Sequence, residues 1–285
     1  MRIALWIANG LAQHKFELEL FLKQQQIDVM LISETHFTNK NHLKINGYNF
    51  YQTQLISETH FTNKNHLKIN GYNFYQTQHP SGKAHGGTGI IIKYNIKQYE
   101  LPSFQKDYLQ ATNVAIEDCH DIITTSAVYC PPRHSISKED FDNFLDALGN
   151  RFIAGGDYNA KHTQWDNRLI TVRGKNLLNG LNTNRLNYLT TYELTYWPTD
   201  TNKIPDLLDF FITKNISPRY VKINSSAKLS SDHSPVIVTV SSAIIENPPN
   251  GLIHNQFTNW QLFREVFNHS ISASISLKTN EDIEF

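Results

Sequence analysis

Residues 31–54 and 55–78 are the same 24 residues written twice in succession, Leu-Ile-Ser-Glu-Thr-His-Phe through Tyr-Asn-Phe-Tyr-Gln-Thr-Gln. Solenoid architectures need about three or more diverged units to bury a continuous core. Two perfect copies inside non-repeating sequence therefore read as a duplication, not as an architecture. A strand position in a sheet takes one copy of a segment, so about 24 residues have to be extruded or added at an edge. The flanks decide which copy of each part stays in. Glu34 follows Ile27-Asp-Val-Met-Leu-Ile-Ser, an apolar run, whereas Glu58 follows Gln52-Thr-Gln-Leu-Ile-Ser, with polar residues where a buried strand needs apolar ones. Tyr72–Gln78 adjoins the turn His79-Pro-Ser-Gly and the apolar Gly89-Ile-Ile-Ile. Glu34 and the second Tyr-Asn-Phe-Tyr copy are thus expected inside, with the material between them outside.

The remaining chain alternates strand-like and helix-like patterns. Arg2–Ile7 reads as a strand, and Leu11–Gln26, with Leu11, Leu18, Phe21 and Leu22 on one face, reads as a helix. Ile27–Ile32 is apolar but for Asp28, as in a strand covered on both sides, which points to an α/β protein. Asn113–Ile116, Ile122–Tyr129, Leu207–Thr213 and Val236–Val240 read as further strands. Ser137-x-x-Asp140 resembles a capping box before the stripe Phe141, Phe144, Leu145 and Leu148, and Lys175–Asn184 is expected to be helical. Pro248-Pro-Asn-Gly reads as a linker, and beyond it Trp260, Phe263, Val266 and Phe267 form an apolar stripe on a helix.

Composition narrows the function classes. Hydrophobic residues make up 40% of the 285 and charged residues 18%, enough for a sizeable core. Lys plus Arg and Asp plus Glu number 26 each, which argues against indiscriminate nucleic-acid binding by bulk charge and leaves room for a local basic patch. Cys119 and Cys130 make neither a disulfide framework nor a zinc spacing. With no signal peptide and no membrane-length apolar run, the chain reads as intracellular, nuclear or cytoplasmic.

Short polar words stand where apolar runs end: Trp6-Ile-Ala-Asn-Gly, Ser33-Glu-Thr-His, Tyr129, Gly156-Asp-Tyr-Asn, Asp206-Leu-Leu-Asp and Ser231-Asp-His-Ser-Pro. Alone, each is an ordinary turn; Gly-Asp-x-Asn commonly serves backbone hydrogen bonding. Asp157 and Asn159, two apart on an extended chain, share a face and bring a possible base and an amide donor together. In this order the set resembles the endonuclease/exonuclease/phosphatase superfamily, whose fold is that of deoxyribonuclease I. Ile32-Ser-Glu-Thr-His-Phe, Val128-Tyr-Cys-Pro-Pro-Arg-His, Gly155-Gly-Asp-Tyr-Asn-Ala-Lys-His, Tyr196-Trp-Pro-Thr-Asp and Leu229-Ser-Ser-Asp-His-Ser-Pro are similar to the endonuclease domain of jockey-type non-LTR retrotransposons.

That resemblance implies an α/β four-layer sandwich, two mixed sheets flanked by helices, over residues 1–241, with residues 242–285 leading to a downstream domain. It implies a DNA endonuclease that uses magnesium or manganese to nick duplex DNA and prime reverse transcription by a polymerase domain. Glu34 (or its copy Glu58) would hold the metal, with Asp232 behind it and Asn9 as a weak contributor. Asp157 would deprotonate water, Asn159 and Tyr129 would meet the phosphate, and His233, held by Asp209, would stabilise negative charge. Thr195, Lys161, His162 and Arg133 would contact substrate. Arg168, Arg173 and Lys175 could touch the DNA backbone but by default are solvated cations, and His36, His60, His162 and His254, without metal spacing, read as surface or loop histidines. The resemblance departs at Ile7, where family members carry Asn; a branched apolar side chain neither donates nor coordinates. Two alternatives therefore stay open, a weakened or inactive remnant and a phosphomonoesterase or phospholipid phosphodiesterase of the same fold.

Overall fold

The computed structural model describes residues 1–38, 69–117, 121–200, 202–226, 229–245, 259–262 and 264–265. The segment Met1–Ile245 is one compact unit and Glu246–Phe285 a second. In the second, Trp260, Gln261 and Leu262 are helical. Cys119, Glu58, His60, His254, Phe263, Val266 and Phe267 lie outside the described residues.

In chain order the elements are β1 (Arg2–Ile7), a 3-10 turn (Leu11–His14) running into α1 (Lys15–Gln24), β2 (Val29–Ser33), β3 (Tyr72–Thr77), β4 (Thr88–Lys93), β5 (Gln98–Glu100), β6 (Phe104–Lys106), β7 (Leu109–Glu117), β8 (Ile122–Tyr129), α2 (Lys138–Ala147), β9 (Phe152–Asp157), α3 (Val172–Thr183), β10 (Asn187–Leu189), β11 (Asp209–Lys214), β12 (Val221–Ser225) and β13 (Val236–Val240). One sheet runs β12-β13-β1-β2-β4-β3; the other runs β10-β11-β9-β8-β7-β5, with β6 also on β7. Both are mixed, because β1 and β2 are parallel in one and β8 and β9 in the other, while their other neighbours are antiparallel.

Alternation along the strands builds three apolar layers and hence a four-layer sandwich. In β1, Ile3, Leu5 and Ile7 face the second sheet and pack with Leu31, Ile90, Val114, Ile153 and Phe211. Ala4 and Trp6 face the other way, onto Leu18, Phe21 and Leu22 of α1. Outside the second sheet, Phe141, Phe144 and Leu145 of α2 and Leu177 and Leu181 of α3 cover Val128, Phe152 and Phe210. Each fully buried Leu, Ile or Phe contributes roughly 1.5–3 kcal/mol by leaving water.

The repeat resolves as its flanks suggest where it is described. β2 runs into the first copy at Leu31 and β3 lies in the second, and both pair with β4, Leu31 opposite Ile90 and Tyr75 also opposite Ile90. The α2 capping box forms: the Ser137 hydroxyl accepts the Asp140 amide at 3.1 Å while the Asp140 carboxylate accepts the Ser137 amide at 3.0 Å.

Two contacts place the strand ends. The Ser33 hydroxyl donates across the sandwich to the Val128 carbonyl at 2.7 Å, so the carboxyl ends of β2 and β8 lie side by side. Within the second sheet Tyr129 is in register with Asp157, and Asp157 with Asp209. The close β8–β9 approach depends on Gly156, where an added Cβ would sit 1.8 Å from the Val128 carbonyl oxygen.

Candidate active site

The polar words converge at this end of the sandwich. Asp157 closes β9 and is buried. Both its oxygens are engaged by Asn159, whose amide N–H donates to Oδ1 at 2.8 Å and whose side-chain Nδ2 donates to Oδ2 at 2.6 Å. That embrace requires left-handed backbone at Asn159, φ 46°, a conformation that asparagine tolerates better than most residues. The Asn159 Nδ2 also donates to the Cys130 carbonyl at 3.1 Å.

His233 lies in the loop before β13, and its Nδ1 is 2.7 Å from Asp209 Oδ2. Burial works against a charged ring, but the carboxylates of Asp209, Asp157 and Asp232 prevail and push His233 up to about 9. Asp157 is pushed up to about 8, first by burial and then by Asp209, with His233 and the Asn159 amide pulling down and Glu34 adding to the rise. The two are electrostatically linked: a charged imidazole favours the ionised carboxylate, and that carboxylate favours the charged imidazole.

Glu34 follows β2 with φ 54°, and Asn9 follows β1 with φ 46°. The two loops are laced together by Gly10 N to the Glu34 carbonyl at 2.9 Å. The buried Tyr129 hydroxyl hydrogen-bonds the Glu34 carboxylate; burial first, then that carboxylate, holds the phenol far above its ordinary range. Asp232 is half-buried and within electrostatic reach of His233. Ser231 joins the first strand to this loop, accepting the Trp6 indole N–H at 2.9 Å and the His233 amide at 3.1 Å.

Several expected substrate contacts are placed otherwise. Thr195 is fully buried, and its hydroxyl oxygen accepts the amides of Leu208 and Asp209 at 3.0 and 3.1 Å, so it fixes the start of β11 instead of standing at a phosphate. Lys161 is ion-paired with the buried Asp206. His162 Nδ1 accepts the Gln164 amide at 3.1 Å and caps a 3-10 turn. Arg173 is buried, not solvated, and is taken up below. Asn9, Arg133, Arg168 and Lys175 are exposed. Ile7 lies in the inter-sheet core, 1% exposed, so the position beside the site is filled with hydrocarbon.

A cavity of about 530 Å³ opens on the Glu34–Tyr129 side, with Arg133 on its wall. His36, His79, His85 and His134 also line it. They come from three segments, after β2, between β3 and β4 and after β8, and share no single spacing; His36 is a half-buried loop histidine on this wall. Burial, aided by His85, holds His36 and His79 below the ordinary imidazole value, with Glu34 opposing at the first and Asp107 at the second.

Among the described residues no three His, Cys, Asp or Glu side chains gather as a ready metal cage. Magnesium does not need one. It is held by one or two carboxylates, with waters and substrate phosphate completing the shell. Glu34, opening onto the cavity, offers a hard oxygen donor of that kind, so the site fits a divalent cation with few protein ligands.

The profile of the family described as "Endonuclease-reverse transcriptase" matches residues 123–237, the span from β8 to β13 that carries Asp157, Asp209 and His233. The chain is 33% identical over 261 residues to the RNA-directed DNA polymerase from mobile element jockey of Drosophila melanogaster, covering 91% of this chain and 26% of that protein. The corresponding Drosophila funebris protein is 28% identical, covering 100% of this chain and 28% of its own length. The chain is thus similar to the endonuclease-reverse transcriptase family over residues 123–237 and to the jockey RNA-directed DNA polymerases over most of its own length. It spans little more than a quarter of these relatives. Among solved structures, the endonuclease domain of TRAS1, a telomere-specific non-LTR retrotransposon, superposes with a TM-score of 0.65 at 17% identity, covering 84% of this chain and 97% of that one. An AP endonuclease from Leishmania major superposes at 0.61 with 13% identity, covering 85% and 88%. At these identities the likeness is one of fold, and it is the four-layer sandwich described above.

Proposed function

We propose that this domain is a metal-dependent endonuclease that hydrolyses a phosphodiester in duplex DNA. In an intact element the nick would prime reverse transcription by a polymerase domain, with residues 1–241 as the nuclease and 242–285 leading toward that polymerase. The observation that carries the reading is the Asp209–His233–Asp157 arrangement, a buried acid and a buried imidazole whose ionisation states support each other, placed beside Glu34.

In this reading each residue takes the part that its contacts suit. Asp157, raised toward working pH, accepts a proton from the attacking water, and Asn159 fixes both carboxylate oxygens so that the accepting lone pairs have one direction. His233 has Nδ1 on Asp209, which leaves Nε2–H to donate to a phosphate oxygen as negative charge develops. Glu34 and Asp232 would hold magnesium or manganese, which when bound supplies positive charge against the phosphate. The Tyr129 hydroxyl orients the Glu34 carboxylate from the second sheet.

A second reading, attenuated catalysis, is favoured by one observation: the buried Ile7 offers no polar group where family members carry Asn. The test is relaxation of supercoiled plasmid with magnesium, alongside turnover of a simple phosphomonoester. Plasmid nicking that exceeds phosphomonoester turnover supports the endonuclease. The reverse preference assigns the fold to monoester chemistry.

In this reading the relatives' status as RNA-directed DNA polymerases makes a reverse transcriptase domain the expected neighbour in the chain. No helix among the described residues is long and apolar enough to cross a membrane.

A further inference from the structure

Arg173 is a buried cation to which the chemistry above gives no part. It is the second residue of α3, 8% exposed, at the end of a helix where the backbone dipole disfavours positive charge. Among the described residues no carboxylate pairs with it. Its guanidinium is instead met by backbone carbonyls from two segments. Nη1 donates to Cys130 at 3.1 Å, Tyr158 at 3.3 Å and Asn159 at 3.5 Å. Nη2 donates to Pro131 at 2.7 Å, to Pro132 at 3.4 Å and to His134. A buried charge is retained only where its donors are satisfied, and a planar fork satisfies several carbonyls at once where an ammonium meets fewer.

The sequence provides for this docking in the next residue. A Cβ on Gly174 would lie 1.9 Å from the Lys161 carbonyl oxygen, so glycine there lets α3 approach the segment after β9. The Thr171 hydroxyl caps the helix by accepting the Gly174 amide at 3.1 Å. Arg173 is thereby delivered between the carboxyl end of β9 and the loop after β8.

One acceptor is shared. The Cys130 carbonyl receives both Arg173 Nη1 and Asn159 Nδ2, and the same Nδ2 donates to Asp157 Oδ2. We propose that Arg173 is a positioning residue for the cleavage site, anchoring the Cys130 carbonyl against which the Asn159 amide, and through it the Asp157 carboxylate, is aimed. This rests on the endonuclease reading for its kinetic consequence but not for its geometry. Without the clamp the folded domain persists, and Asn159 loses the fixed acceptor that turns its amide toward Asp157. Misplacing a catalytic group by about 1 Å costs on the order of 10²-fold in rate.

The experiment compares the full chain with Arg173→Lys, Asn159→Ala and the double variant, each assayed below its unfolding temperature. Arg173→Lys is expected to lower kcat for plasmid nicking between about tenfold and 10²-fold with KM little changed. In the Asn159→Ala background the same change is expected to cost little more, because the two act through one carbonyl. An equal loss in both backgrounds, or an unchanged kcat, overturns the proposal. Hydrogen exchange gives a readout independent of cleavage. The Cys130 and Asn159 amides, bonded to the Asp157 carbonyl at 2.9 Å and to Oδ1 at 2.8 Å, should exchange at least about tenfold faster in Arg173→Lys while Ile153 and Ala154 are unchanged. Unchanged or uniformly raised exchange overturns the positioning role. If neither the parent nor Ile7→Asn cuts DNA, the endonuclease reading fails and the exchange result alone decides the role of Arg173.

Discussion

At the scale of single residues, the site is a set of charges that hold one another's ionisation states. Asp209 raises His233 directly and also raises Asp157. Replacing Asp209 by Asn removes that negative charge, so both groups should titrate at lower pH. Nicking that needs ionised Asp157 and protonated His233 follows a bell in pH, and with Asp209→Asn both limbs should move acidward. A pH–rate profile at saturating magnesium checks this, and an alkaline limb that stays in place would show that His233 is not the acid that limits it. Gly156 is constrained by packing instead. With the Val128 carbonyl 1.8 Å from where its Cβ would be, Gly156→Ala must part β8 from β9. The expected loss is more than about 4 kcal/mol or failure to fold, read by urea unfolding; a variant that unfolds like the parent would contradict this close approach.

At the scale of elements, legibility followed burial. β1, β2, β8 and β13 could be read because their residues are apolar on one or both faces, and α2 because its capping box precedes a helical stripe. Ser137→Ala should cost about 1 kcal/mol at neutral pH. The Ser137 hydroxyl holds the Asp140 carboxyl below its ordinary value, so this stabilisation is present above about pH 4 and fades as acid protonates Asp140. Melts of parent and variant should therefore differ less at pH 3 than at pH 7. β5, β6 and β10 passed unread because three half-exposed residues have no period, and β12 because its burial is patchy. The same physics divides the site. Asp157, Asn159, Asp209 and His233 stand in compact words at strand ends. Arg173 meets carbonyls of segments distant in sequence, which no spacing rule encodes, and His36 and His134 stand in two of the quoted words without those words showing the cavity they share. Thr195 and Lys161 have the right residue types for phosphate contacts but spend them on β11 and Asp206.

At the scale of the whole molecule, the sheet takes the end of β2 from the first copy and β3 from the second. Deleting residues 39–62 rejoins the same words into one copy and leaves every residue of both strands in place. Loop-closure entropy changes by only about 0.6 kcal/mol per doubling of a connection's length, so the shortened chain should fold with equal or slightly greater stability. A thermal melt reads this directly, and a shortened chain that does not fold would mean that the sheet requires the duplicated segment. The two sheets meet where the proposed active groups stand, Glu34 after a strand of one and Tyr129 and Asp157 at strand ends of the other, tied by Ser33 to the Val128 carbonyl. That junction is also where the buried Ile7 puts hydrocarbon, at the position where the family resemblance implies Asn. The most direct test is plasmid nicking in magnesium by the parent, Asp157→Ala, His233→Ala and Ile7→Asn. The account predicts open circles with the parent or, at the least, with Ile7→Asn, and none with Asp157→Ala or His233→Ala. Supercoils left intact by both the parent and Ile7→Asn, or nicking that persists without Asp157 and His233, would contradict it.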